Sequence, residues 1–236
     1  MSPSEESSLL SVSSRPVALP FRRVARERFP VLYRVVRDLC RPALSRWFDL
    51  SIEGLERLPA GPFILAANHH NYLDGVVLGV AVPRPISFIV MPRVYHASPL
   101  HPAFHRHIGS IPVNLSRPEP GAIKRALRAL DAGHIVGIFP EGPFSREGRL
   151  VPGQPGAAAL ALRAGVPVVP TAVLGTFEAM RGRRFYLPRR HPLGVRFGAP
   201  LALPGPRRHG PGRAERVEVT RRIMAEIDRL LARAHA

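Results

Sequence analysis

Cysteine and lysine are nearly missing from this chain of 236 residues. Cys40 is the single cysteine, which excludes an intramolecular disulfide and is compatible with a reducing compartment. Lys124 is the single lysine, so almost all of the cationic charge is arginine. No apolar run approaches the roughly 20 residues that span a bilayer, and the N-terminus lacks the apolar core of a signal peptide. We therefore expect a chain that neither crosses a membrane nor is exported by the usual route.

Acidic residues are also few, with 17 Asp and Glu against 34 Lys and Arg, which leaves a net charge of +17. Such a charge attracts polyanions, whether nucleic acid, anionic membrane surfaces or phosphorylated substrates. A nucleic-acid-binding module is one alternative. However, no helix-turn-helix, zinc-finger or aromatic RNA-binding signature occurs, and the arginines are spread along the chain. Nucleic acid is therefore not an expected partner.

Strand-like and helical segments alternate, which predicts an α/β fold with a mixed, largely parallel sheet flanked by helices. Residues 1–20 are predicted to be a disordered tail, and 21–236 a single domain. Over residues 24–50, apolar side chains at helical spacing around Pro42 predict an amphipathic helix pair. Its arginines and aromatic residues favour contact with a membrane over simple packing on the core. Strands are predicted near 63–67, 86–91, 108–115, 135–139, 166–174, 184–187 and 194–197, and the main helices near 75–82, 119–132, 156–164 and 213–236.

A histidine and an aspartate, His69 and Asp74, stand five residues apart in FILAANHHNYLDG, just after a short apolar strand. Asp74 opens an apolar helix, where the helix dipole favours a carboxylate. The loop between them allows Asp74 to accept a hydrogen bond from one ring nitrogen of His69, which holds the other nitrogen as a base at a strand's carboxyl end. This spacing alone fits a hydrolase, a metal site or no function. Adjacent histidines usually point apart and no third ligand follows, so no metal is expected.

Two later stretches resemble a known family. One reads HIVGIFPEGPFSREG, and the other, after a small-residue helix, reads GVPVVPTAV. With NHxxxxD before them, in this order and at these separations, the three blocks resemble the glycerolipid acyltransferases over about residues 32–201. The resemblance implies transfer of a fatty acyl group to the hydroxyl of a lysoglycerolipid, most simply lysophosphatidic acid giving phosphatidic acid. It also implies acyl-CoA or acyl carrier protein as co-substrate, no cofactor, and a peripheral location at the cytoplasmic face of the cell membrane, on its anionic surface.

Acyl transfer from a thioester requires a base for the hydroxyl, stabilisation of an oxyanion and alignment of two substrates. His69 is the expected base, and Asp74 the residue that fixes its tautomer and stabilises the imidazolium. No Gly-x-Ser-x-Gly element occurs, and Cys40 falls in the N-terminal helical segment. We therefore expect direct attack by the acceptor hydroxyl without an acyl-enzyme, which disfavours an esterase.

The resemblance further implies which residues bind the acceptor. Glu141 of FPEG is expected to bind the polar head, and Gly142 to allow close approach of the backbone. The alternative for Glu141 is a carboxylate that caps the following turn and touches no ligand. Asn68, beside the predicted base, belongs to the same expected substrate-binding set.

Departures from the family pattern concern the phosphate of the acceptor. Members with a phosphate acceptor carry arginines at two positions that hold Leu115 and Phe144 here, and the usual lysine of a later segment is Gln154. Arg117 and Arg146 lie two residues beyond those positions. We predict both as head-group ligands, the alternative being solvated surface arginines. The shift leaves open an acceptor without phosphate, or a non-catalytic lipid-binding protein on the same scaffold.

Overall fold

A seven-stranded, mixed and mostly parallel sheet organises the fold, as predicted. The computed structural model describes residues 30–113, 120–145, 147–181, 187–204 and 210–233. The strands are β1 Ser51–Glu53, β2 Ile64–Ala67, β3 Ile86–Val90, β4 Ile111–Pro112, β5 Ile135–Ile138, β6 Val168–Leu174 and β7 Gly194–Phe197. The helices are α1 Val31–Trp47, α2 Leu73–Ala81, α3 Pro92–Tyr95, α4 His101–His107, α5 Pro120–Asp131, α6 Gly156–Ala164, α7 Thr176–Met180 and α8 Arg213–Ala232, with a 3-10 turn at Leu55–Arg57.

The strand order is β1-β7-β6-β2-β5-β3-β4. Every neighbouring pair is parallel except β6 and β7, which are antiparallel. Strand β2 lies between β5 and β6, with Ala66 in register with Ile138 on one side and Pro170 on the other. The carboxyl ends of three parallel strands therefore meet at the centre of one sheet edge, the usual position of a site in α/β folds.

Both faces of the sheet are covered, so β2 is apolar throughout and all four of its residues are buried. Leu65 and Ala67 pack in the cluster formed with α1 and α2, whereas Ile64 and Ala66 pack in the cluster formed with α5, α6 and α8. The alternation follows from the two-residue period of a strand. A rigid, doubly covered strand therefore leads directly into the loop that carries His69.

Helix α1 runs without interruption through Pro42, where the sequence predicts a break. Pro42 cannot donate a hydrogen bond to the carbonyl of Asp38, but both residues are exposed, so water can satisfy that carbonyl. The start of the predicted helix pair, residues 24–29, lies outside the described residues, as does the predicted tail 1–20. The domain boundary stays a prediction.

Tyr33 fixes α1 to the rest of the domain. Its buried hydroxyl lies 3.5 Å from the carbonyl of Gly79 in α2 and accepts the backbone N–H of Ile86 at 3.4 Å. Burial raises the pKa of Tyr33 to about 12, so the hydroxyl keeps its proton at neutral pH. One side of α1 is therefore held against the domain while the opposite side stays exposed.

Other differences from the sequence expectations are local. Within the described part of the strand expected at 108–115, only Ile111–Pro112 forms a strand, because Gly109 adopts a φ of +74° and turns the chain out of α4 just before it. Residues 114–115 lie outside the described residues. Leu187 is not in a strand, and 184–186 of that expected strand lie outside the described residues. Strand β1 and helix α7 are present without having been predicted. None of these differences affects the central strands β2, β5 and β6, whose carboxyl ends meet at the candidate site.

Candidate active site

The loop after β2 is attached to β6 by Asn68. Its side chain is fully buried, and its amide nitrogen donates to the carbonyl of Val173 at 2.9 Å while its amide oxygen accepts the N–H of Val173 at 2.7 Å. Both ends of the amide thus bond to the neighbouring strand. Contact of Asn68 with substrate stays a prediction, and the observed bonds hold the start of the His69 loop.

His69 and Asp74 are brought together as the spacing indicated. His69 Nδ1 lies 2.8 Å from Asp74 Oδ2, and that same oxygen accepts the backbone N–H groups of His70 at 2.7 Å and Asn71 at 2.9 Å. Asp74 is fully buried in the first turn of α2. Since the carboxylate accepts at Nδ1, the proton of neutral His69 is assigned to Nδ1 and the lone pair to Nε2. The arrangement presents Nε2 as a base.

Asn71 shapes the same loop, although the sequence pattern did not single it out. Its side-chain oxygen accepts the N–H of Leu73 at 2.9 Å, and its side-chain nitrogen donates to the carbonyl of Thr176 at 2.9 Å. An asparagine placed shortly before an apolar helix is a common sign of such a turn. Asn71 therefore positions the start of α2, and with it Asp74.

Aromatic rings hold the imidazole from two directions. The ring of Phe139 stacks on His69 with centroids 3.6 Å apart and an interplanar angle of 6°. Phe144 approaches edge-on, at 4.5 Å and 64°. Phe88 continues the stack behind Phe139, at 5.9 Å and 5°. Such contacts fix the plane of the ring and exclude water from its face.

The backbone of His69 is held by the segment that follows β5. Its N–H donates to Glu141 Oε1 at 2.7 Å, and its carbonyl accepts the N–H of Ser145 at 2.8 Å. Glu141 Oε2 accepts the N–H of Val151 at 2.8 Å. Burial raises the pKa of Glu141, and the two backbone hydrogen bonds and the nearby histidines oppose that shift. Binding of the acceptor by Glu141 stays a prediction.

Gly142 follows this carboxylate in the FPEG turn and adopts a backbone conformation that favours glycine. Its φ is +82, and an added Cβ would lie 2.7 Å from the side-chain nitrogen of Gln154. The backbone N–H of Gln154 in turn donates to the carbonyl of Pro140 at 2.7 Å. The residue at the family's lysine position therefore packs against the FPEG turn, and a role of Gly142 in binding substrate stays a prediction.

Comparison with known proteins identifies the family. A family model described as Acyltransferase matches residues 49–174, which is more than half of the chain and includes His69, Asp74 and Glu141. The chain belongs to the acyltransferase family.

Two curated relatives within this acyltransferase family carry the same name. The chain is 30% identical over 146 residues to the 1-acyl-sn-glycerol-3-phosphate acyltransferase of Bacillus subtilis. This alignment covers 61% of this chain and 72% of the relative. It is 28% identical over 176 residues to the chloroplastic 1-acyl-sn-glycerol-3-phosphate acyltransferase of Brassica napus, which covers 73% of this chain. The alignment spans 50% of that plant protein.

A solved structure shares the fold of this acyltransferase family member. The 1-acyl-sn-glycerophosphate acyltransferase PlsC of Thermotoga maritima superposes with a TM-score of 0.67 at 22% identity, over 85% of this chain and 80% of that one. At this identity the likeness speaks for the fold alone.

The predicted head-group arginines of the acyltransferase, Arg117 and Arg146, lie outside the described residues, and so does Leu115. Phe144, at the other arginine position of the family pattern, is described and lies against His69. The absence of a metal also stays a prediction, although no group of three or more His, Cys, Asp or Glu side chains in the described ranges is placed to hold one. Within the same ranges no helix combines the length and apolarity needed to cross a bilayer.

Proposed function

We propose that this chain transfers a fatty acyl group from an acyl thioester to the hydroxyl of a lysoglycerolipid, with lysophosphatidic acid as acceptor and phosphatidic acid as product. The observation that carries the proposal is the buried His69–Asp74 pair, which leaves Nε2 as a base at the carboxyl ends of β2 and β5. Membership in the acyltransferase family and the names of the curated relatives support the choice of substrates.

In the proposed reaction His69 Nε2 takes the proton of the acceptor hydroxyl as its oxygen attacks the thioester carbonyl. Asp74 stabilises the imidazolium through Nδ1, as the carboxylate of a hydrolase triad does. Collapse of the tetrahedral intermediate breaks the carbon–sulfur bond, and the proton passes from Nε2 to the departing thiolate. Atoms and charges balance without a protein nucleophile or a cofactor. Burial raises the pKa of Cys40, which disfavours its thiolate as a nucleophile.

The acyl donor is proposed to be acyl-CoA or acyl carrier protein. Both carriers are acidic, and a chain with a net charge of +17 attracts them over a distance set by the ionic strength. The same charge suits nucleic acid, so retention of the protein on DNA without any acyl transfer would favour the nucleic-acid alternative.

A peripheral location at the cytoplasmic face of the membrane is part of the proposal, and helix α1 supports its contact with an anionic membrane surface. Helix α1 carries large exposed apolar side chains: Val31, Val35 and Leu39 on successive turns and Trp47 at its carboxyl end, which are 67%, 47%, 70% and 70% exposed. Exposed arginines flank them, at positions 34, 41 and 46. An apolar stripe with basic neighbours and an interfacial tryptophan is the pattern of a helix that lies in the membrane surface.

An acceptor without phosphate is a second candidate, favoured by Phe144. In the family pattern an arginine occupies this position, whereas here an aromatic ring lies 4.5 Å from the proposed base. Direct competition between lysophosphatidic acid and a monoacylglycerol for one labelled donor distinguishes the two acceptors. Preference for lysophosphatidic acid that disappears in Arg117→Gln or Arg146→Gln would assign the phosphate to those arginines.

The central test is incorporation of a radiolabelled acyl group from acyl-CoA or acyl carrier protein into a panel of lysolipids in anionic vesicles. Wild type should form phosphatidic acid, and His69→Ala should lose activity by about three orders of magnitude or more. His134→Ala, at an exposed histidine before β5, is the matched control and should keep wild-type activity. Incorporation at background level by both wild type and His69→Ala for every acceptor would refute the proposed enzyme and favour a non-catalytic lipid-binding protein, and equal incorporation above background would refute His69 as the base.

A further inference from the structure

Glu141 and His69 occupy equivalent positions beyond two neighbouring parallel strands. Ala66 of β2 is in register with Ile138 of β5. His69 lies three positions after Ala66, and Glu141 lies three positions after Ile138. The register therefore directs the Glu141 side chain across the strand boundary to the N–H of His69, where Oε1 accepts it at 2.7 Å. This contact follows from the sheet itself.

Each oxygen of the Glu141 carboxylate accepts a backbone N–H. Oε1 accepts from His69 and Oε2 from Val151 at 2.8 Å, and the residue is 3% exposed. A carboxylate oxygen can accept more than one hydrogen bond, so it is the burial of Glu141 that keeps the acceptor from its oxygens. An acceptor hydroxyl that drew either oxygen away would also leave a buried backbone N–H without a partner, which is unfavourable. Hydrogen bonds from N–H groups to a carboxylate are also stronger than neutral ones.

We infer that Glu141 is a positioning residue, which holds the main chain of the proposed base His69 and does not bind the acceptor. The inference rests on the proposed function. The Glu141 carboxylate joins three segments at one point: the loop after β2, the FPEG turn after β5, and the chain at Val151. Ser145 completes the attachment by donating its N–H to the carbonyl of His69 at 2.8 Å. With its backbone held on both sides, the imidazole keeps its stacking on Phe139 and its bond to Asp74.

Kinetics separate a positioning residue from an acceptor ligand. Glu141→Gln keeps an oxygen for the His69 N–H but cannot accept from Val151, and Glu141→Ala loses both bonds. We expect kcat to fall about tenfold in the first variant and about a hundredfold in the second, with the KM for acceptor within about twofold of wild type. Glu218→Gln, at an exposed glutamate of α8 that pairs with Arg221, is the control and should match wild type. An acceptor KM raised about tenfold with kcat unchanged would overturn the inference.

A measurement on the wild-type protein decides the same question without any variant of Glu141. In protein isotope-labelled at histidine nitrogen, the His69 amide is assigned by its disappearance in His69→Gln. A backbone proton bonded to a carboxylate resonates downfield, and we expect that shift to remain when lysophosphatidic acid is added. An upfield movement on addition would mean that Glu141 leaves His69 for the acceptor, which overturns the inference. Absence of acyl transfer by wild type would instead refute the proposed function, and the amide shift in the acceptor-free protein would still test the Glu141 contact.

Discussion

Replacement of Asp74 by asparagine removes the charge next to His69 and keeps the shape of the side chain. Asp74 Oδ2 accepts three hydrogen bonds, from His69 Nδ1 and from the N–H groups of His70 and Asn71. All three donors face one oxygen, so the amide oxygen of asparagine must take that place. The bonds then persist as neutral ones, and the site loses the charge that would stabilise an imidazolium. The amide nitrogen takes the place of Oδ1, which is buried without a hydrogen-bond partner among the described residues, so the variant also buries an unpaired donor.

The expected magnitudes differ for catalysis and for stability. The corresponding change in a serine hydrolase lowers kcat about ten-thousandfold, and thioester chemistry makes a fall of about a thousandfold or more a fair expectation here. Hydrogen bonds to a charged group contribute about 1.5–3 kcal/mol and neutral ones about 1 kcal/mol. Asparagine avoids burying a charge, which offsets part of this loss, but it leaves a buried amide donor unpaired at a cost of about 1–3 kcal/mol. We therefore expect the free energy of unfolding to fall by about 2–4 kcal/mol.

Initial rates of acyl transfer and urea denaturation of the same preparations test this prediction. Asp131→Asn, at an exposed aspartate that ends α5, is the matched control and should match wild type in both. Activity of Asp74→Asn within about threefold of wild type would refute the role of a charged orienter for His69.

Three further predictions concern the membrane, the sheet and pH. Leu39→Glu should weaken sedimentation with anionic vesicles about tenfold or more, because burying one leucine contributes about 1.5–3 kcal/mol, whereas Val217→Glu, exposed on α8, should bind like wild type. Gly137→Ala should lower the free energy of unfolding in urea by about 1–3 kcal/mol, since the added Cβ would lie 2.5 Å from a phenylalanine ring of β3, while Gly75→Ala, with nothing within 4 Å, should not lower it. Burial raises the pKa of Glu141, so the folded state keeps a proton that the unfolded state releases near the ordinary glutamate pKa of about 4.3. The free energy of unfolding of wild type should therefore fall as the pH rises from that ordinary pKa through the raised pKa of the folded state, and Glu141→Gln should lack this fall. A difference in stability between the two proteins that is constant from acid to neutral pH would contradict this prediction.

Local patterns predicted the elements that stand at the site. The alternation of strands and helices, the helix at 156–164, and the apolar strand before His69 are present where expected. Apolar periodicity reports burial, and burial is what the sheet and its covering helices provide. The break at Pro42 was wrong, because solvent exposure of the helix surface is a tertiary property that no local pattern records.

The sequence did not predict the contacts between segments that are distant along the chain. Asn68 meets Val173 across 105 residues, and the His69 N–H meets Glu141 across 72. Both depend on which strands are neighbours and on their register, and strand order is set by packing of whole layers. The resemblance suggested Glu141 as a ligand of the acceptor, which stays a prediction, whereas its two contacts with backbone N–H groups become visible only in the structure.

By itself, then, the sequence determined the family, the class of fold and the identity of the proposed base with its orienting carboxylate. Their five-residue spacing is short enough for one loop to bring them together, so local chain geometry suffices. Only the tertiary structure decided how that base is held: the stack on Phe139, the edge contact of Phe144, and the backbone bonds to Glu141 and Ser145. These contacts join the ends of β2 and β5, which become neighbours only when the sheet forms.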